Sequence, residues 1–145
     1  MGLDGRVYFA RESLPADVES KGAKLNPTTG EYVFENPESA SQFPSDFSVA
    51  TKRRLGNVSA FGGLRGELQS ILGSTQSLLY QRCLADGTHG GDVVEYELLD
   101  QLETEMARTL SKIGGQRRQI LRGFLRAMGD LVRVAKRERN PIVFV

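Results

Sequence analysis

The stretch Gln116 to Arg139 constrains this chain most, because it is the longest run with a single period. Its apolar residues Ile120, Leu121, Phe124, Leu125, Met128, Leu131, Val132 and Ala135 fall within an arc of about 140° when wound at 100° per residue. Arg118, Arg122, Arg126, Arg133, Lys136 and Arg137 occupy an arc of about 100° on the other side. A helix with one core face and one basic ridge is expected. Gly114-Gly115 breaks the chain ahead of it. Asn140-Pro141 ends it, since proline lacks the amide that would continue the ladder and pushes its predecessor out of helical geometry.

Such a helix needs other elements to cover its apolar face. The 145 residues suffice for one domain, residues 1–145, with a single core. Tyr96 to Ile113 predicts a partner helix with Leu98, Leu99, Leu102, Met106, Leu110 and Ile113 inward, and a short connection makes the two an antiparallel hairpin. Two more helices are expected. One begins near Asn57 or Ser59 and carries Phe61, Leu64, Leu68, Ile71 and Leu72; the other spans Ser74 to Leu84. Gly62, Gly63 and Gly66 weaken the former by about 0.5–1 kcal/mol each relative to alanine, and close approach of another backbone would account for them.

Strand signals sit at the two ends of the chain. Asp4 to Ala10 and Glu31 to Glu35 alternate, and the turn Asn26-Pro27-Thr28-Thr29-Gly30 lies between them, so they are expected to pair as a long-looped hairpin. Pro141 to Val145 is apolar on both faces and is expected to lie beside the first strand. The fold class is therefore α+β: a small, mostly antiparallel sheet of two N-terminal strands and a C-terminal strand, packed on three to four helices.

Charge is unevenly spread. Residues 87–113 carry two basic and six acidic groups, whereas 114–145 carry eight basic and two acidic. Either the acidic face of Glu97, Asp100, Glu103 and Glu105 neutralises the ridge, or each face meets a partner of its own. A protein of unspecified kind is one such partner, met through Arg118, Arg122, Arg126, Arg133 and Arg137, which would make the chain a non-enzymatic binding module. Nucleic acid is another, with Lys52, Arg53 and Arg54 contributing, although the ridge lacks aromatic or amide side chains that read bases. Apolar residues left over on the helix hairpin would permit a homodimer. No apolar run approaches the roughly 20 residues that span a bilayer, and Met1 is not followed by a basic and then hydrophobic leader, so a cytoplasmic protein without membrane contact is expected. Gly2 raises myristoylation, but Arg6 stands where the acceptor pattern has Ser or Thr.

One loop has the residues of a ligand site. Asp86-Gly87-Thr88-His89-Gly90-Gly91-Asp92 holds the only histidine, two carboxylates, a hydroxyl and three glycines. Asp86, Thr88, His89 and Asp92 are thus candidates to hold a phosphate or small ligand, the glycines bringing backbone amides close. The loop lacks the lysine of a phosphate-binding P-loop, and one histidine with two aspartates falls short of a closed zinc site. A tight helix connection capped by Asp86 or Asp92 explains it as well. Cys83, the only cysteine, could face His89, but its place on an apolar face fits a buried thiol. No catalytic residue, metal or cofactor follows from the spacing.

The opening Met1-Gly2-Leu3-Asp4, the stretch Gly30-Glu31-Tyr32-Val33-Phe34, the loop Gly87 to Asp92 and the ending Asn140-Pro141-Ile142-Val143-Phe144 together resemble a group of small, mostly uncharacterised bacterial and phage proteins. The resemblance spans nearly the whole chain. It implies an accessory or immunity role of toxin-neutralising kind and carries no catalytic residue.

Overall fold

The computed structural model describes residues 2–85 and 92–145. At its centre is β1 (Gly2–Tyr8), flanked on one side by β4 (Val49–Asn57) and on the other by β6 (Ile142–Phe144), which in turn pairs with β5 (Val93–Val94). All three pairings are antiparallel. The two ends of the chain are joined as expected: Asp4 and Val145 exchange N–H···O bonds of 2.9 Å in both directions.

Alternation along β1 sends Leu3, Gly5 and Val7 toward the helices. The last helix, α4 (Gln119–Glu138), lies so close over this face that a Cβ at Gly5 would come within 2.4 Å of Leu131 Cδ1. Around α4 stand α2 (Val58–Leu72) and α3 (Leu99–Ile113), and Phe61, Leu64, Leu68, Leu102, Leu121, Met128, Leu131 and Phe144 fill the space between. The C-terminal helices form the expected antiparallel pair. Arg139 closes α4 in left-handed geometry at φ 55°, and the amide of Asn140 returns to the Ala135 carbonyl at 3.1 Å, so the helix ends just before Pro141.

Residues 9–48 form a lobe on the outer face of the sheet. Its core is Leu14, Val18, Ala23 and Tyr32, backed by Phe9, Phe34, Phe43 and Phe47, with the rings of the last three packed at 4.9–5.3 Å. Within it β2 (Ala23–Leu25) pairs with β3 (Tyr32–Phe34) as a separate two-stranded sheet, and a single-turn helix α1 (Pro37–Ala40) follows, capped by the Asn36 side chain.

Several expectations are corrected. The Glu31 to Glu35 segment pairs with Ala23–Leu25 and not with β1, whose partner is instead β4. Lys52, Arg53 and Arg54 therefore lie in a strand rather than ahead of a helix. Ser74 to Leu84 is not an α-helix; only Leu79–Ala85 is helical, with π geometry. Ile120 and Leu110 are 66% and 43% exposed, because they sit at the hairpin's turn end and beyond the reach of its core. A Cβ at Gly62, Gly63 or Gly66 would meet nothing within 4 Å, so no backbone approaches them. Among the described residues no helix is long and apolar enough to cross a membrane.

Candidate functional site

The ridge on α4 divides in three when each side chain is placed. Arg118, the residue before the helix, adopts left-handed geometry at φ 31°, reaching Gln116 at 2.6 Å and Glu67 at 4.0 Å. Arg122 folds back over the turn and donates to the carbonyls of Gly114, Gln116 and Arg117. These two arginines hold the α3–α4 connection together. Three otherwise unsatisfied carbonyls of a loop find their donors in one guanidinium.

Lys136 goes to the opposite flank and binds Asp100 and Glu103 of α3. Both carboxylates raise its pKa above the ordinary lysine value. Mutual neutralisation of the acidic and basic helices is therefore real but local. Glu105, also on the acidic helix, instead accepts a hydrogen bond from the Leu79 amide at 3.2 Å.

Arg126, Arg133 and Arg137 remain. Arg126 is exposed and has no hydrogen-bond or ion-pair partner among the described residues. The Arg133 side chain, 73% exposed, reaches Asp130 at 3.0 Å, and Arg137, 63% exposed, reaches Glu138 at 3.3 Å. Both pairs leave most of the guanidinium in water. Asp130 turns toward β4, where Arg53 binds it at 3.3 Å, so a residue of the edge strand extends the basic surface beyond the helix. In the sequence Arg53 stands out only as part of the Lys52–Arg54 cluster, whose charge masks the strand that places it beside α4.

From Arg126 to Arg137 the stripe runs about 16 Å at 1.5 Å per residue. Its chemistry is uniform: planar, permanently charged donors suited to two-pronged contact with carboxylates or phosphates. Arginines stay protonated near neutral pH, so these side chains are suited to charge pairing rather than to proton transfer.

Of the loop candidates, Asp86, Thr88 and His89 lie outside the described residues. Asp92 is described, and its carbonyl accepts from the Phe144 amide at 2.8 Å, which continues the β5–β6 pairing. Cys83 is fully buried, and burial, reinforced by the Glu105 carboxylate, pushes its thiol well above the ordinary range. It is a neutral core side chain rather than a nucleophile. Among the described residues no three His, Cys, Asp or Glu side chains gather as a metal site.

The chain matches no family model, no curated protein and no solved structure.

Proposed function

We propose that this protein is a binding module whose partner is a protein with an acidic surface, seated along the arginine stripe of α4. The observation that supports it is Arg126: an exposed guanidinium with no partner among the described residues, followed along the helix by Arg133 and Arg137, which are only loosely held. A stripe kept for solubility alone would not need arginine at every exposed turn, because lysine or a mixture of signs serves as well. Arginine is favoured where planar pairing with carboxylates matters. Asp130 interrupts the stripe, and the exposed positions of α4 carry no aromatic ring on which a base would stack, which favours an acidic protein over nucleic acid. An accessory or toxin-neutralising protein that blocks its target by covering it would work in this way.

The test is affinity capture from nuclease-treated lysate of the expressing cell, with the intact chain beside Arg126→Glu/Arg133→Glu/Arg137→Glu. The three changes lie on the exposed side of α4 and leave the core untouched. The expected result is one acidic protein held by the parent and released by the variant. Binding between the purified pair should then weaken steeply with salt. Equal capture by both chains, or captured material that disappears with nuclease, would refute the proposal.

A further inference from the structure

The outer face of the sheet, opposite α4, carries a second constellation that does not involve the arginine stripe. Because Leu3, Gly5 and Val7 point to the helices, Asp4, Arg6 and Tyr8 point to the lobe. Lobe and sheet do not close completely. Between them lies a cleft of about 730 Å³, walled by Arg6, Val49 and Lys52 from the strands and by Glu31, Pro44, Ser45 and Asp46 from the lobe.

The charges in this cleft are not equivalent. Lys52 is engaged by Asp4 at 2.9 Å, an aspartate that also binds Arg54 at 3.2 Å. Arg6 is less committed: its Nε is buried and has no acceptor. Arg6 also forms no ion pair among the described residues, so its guanidinium, on the wall of the cleft, is left for an oxyanion entering it. Tyr8 stands beside Arg6 and Glu31. Burial first, and then the Glu31 carboxylate, push its phenol above the ordinary value against the opposing effect of Arg6. It therefore stays protonated.

The sign of the walls selects among oxyanions. Glu31 and Asp46 face the same cleft, so phosphate or a dicarboxylate would meet two negative groups for each free cation. A ligand with one carboxylate and one ammonium meets no such repulsion. We propose that this cleft binds a small zwitterion of the amino-acid class, its carboxylate on Arg6 and its ammonium facing Glu31 and Asp46. The volume leaves room for a side chain beyond the two charged groups.

Calorimetric titration of the full chain with glycine, L-glutamine, L-lysine and L-phenylalanine, beside acetate, methylammonium and inorganic phosphate, tests this. At least one amino acid should bind saturably, with acetate and methylammonium weaker by about tenfold or more, since each makes only half of the contacts. Arg6→Gln should lose binding by about tenfold or more. Asp46→Asn, an exposed change that spares the fold, should weaken amino acids while leaving acetate no weaker than before, since it removes a like charge from the wall. Three results would each overturn the proposal: no amino acid saturating by about 20 mM, Arg6→Gln binding as tightly as the parent, or phosphate binding more tightly than every amino acid.

Discussion

Gly30 and Asn140 form the joint between the lobe and the end of α4, and replacing Gly30 with alanine tests how the two are coupled. Gly30 has φ +79°, and a Cβ there would stand 2.6 Å from the Asn140 side-chain oxygen. Asn140 cannot give way freely, because its Nδ2 donates to the carbonyls of Tyr8 at 2.9 Å and Phe9 at 3.2 Å, at the point where β1 leaves the sheet. Left-handed geometry costs alanine about 1–2 kcal/mol. Displacing Asn140 forfeits two hydrogen bonds of about 0.5–1.5 kcal/mol each. Gly30→Ala should thus destabilise by about 2–5 kcal/mol, which is large against the whole stability of a domain. In an Asn140→Ala background the same change meets no side chain and should cost only the left-handed strain of about 1–2 kcal/mol. Urea unfolding of the parent, both single variants and the double variant, followed by circular dichroism, gives the coupling directly. An interaction of about 1–3 kcal/mol is expected, and costs that add to within about 0.5 kcal/mol would refute the reasoning.

Two further outcomes follow from side chains already placed. Burial raises the Asp4 carboxyl pKa, but hydrogen bonds and charge from Lys52 and Arg54 outweigh it and hold the group below its ordinary value. A depressed carboxylate stabilises the fold above its unfolded pKa, near 3.9, and loses that contribution as pH falls through the folded value. The stability difference between the parent and Asp4→Asn should accordingly be constant near neutrality and shrink below about pH 4; a gap that persists on acidification would contradict this. Gly66→Ala should raise stability by about 0.5–1 kcal/mol, as its added methyl meets open space on an exposed helix face, and a lower midpoint in the same unfolding assay would count against it.

The parts of the fold that were legible in sequence are those whose pattern is decided locally. α4 and α3 announce themselves by period and by their stop signals, and the apolar run Ile142–Phe144 reads as a buried strand because it is buried on both faces. β4 was not legible. As an edge strand it carries Lys52, Arg53 and Arg54 in succession, the kind of charge that keeps an edge from pairing with another chain and that also breaks the alternation by which strands are recognised. Missing β4 left β1 without its main partner, and Tyr32–Phe34 was assigned in its place although its actual partner, Ala23–Leu25, has almost no strand signature. The arginine stripe was visible as a set. Its division was not, because Arg118 and Arg122 are used up by a left-handed turn that only the folded connection defines. The cleft was invisible for a related reason: Arg6, Glu31, Asp46 and Lys52 meet across the pairing that was misassigned.

The basic side chains of α4 are distributed according to what each side of the helix meets. One side is core, one meets β4 through Asp130 and Arg53, and one meets α3 through Lys136. The fourth faces water and holds Arg122, Arg126, Arg133 and Arg137. Arg122 with Arg126, and Arg133 with Arg137, are like charges four residues apart, each such pair costing a helix about 0.2–0.5 kcal/mol. A glutamate at position 126 would attract Arg122 but stand four residues before Asp130, exchanging one like-charge pair for another. Asp130 itself bridges Arg133 on this side at 3.0 Å and Arg53 of β4 at 3.3 Å. Arginine at position 126 is thus neither favoured nor penalised by its neighbours on the helix, and its guanidinium stays exposed without a partner among the described residues.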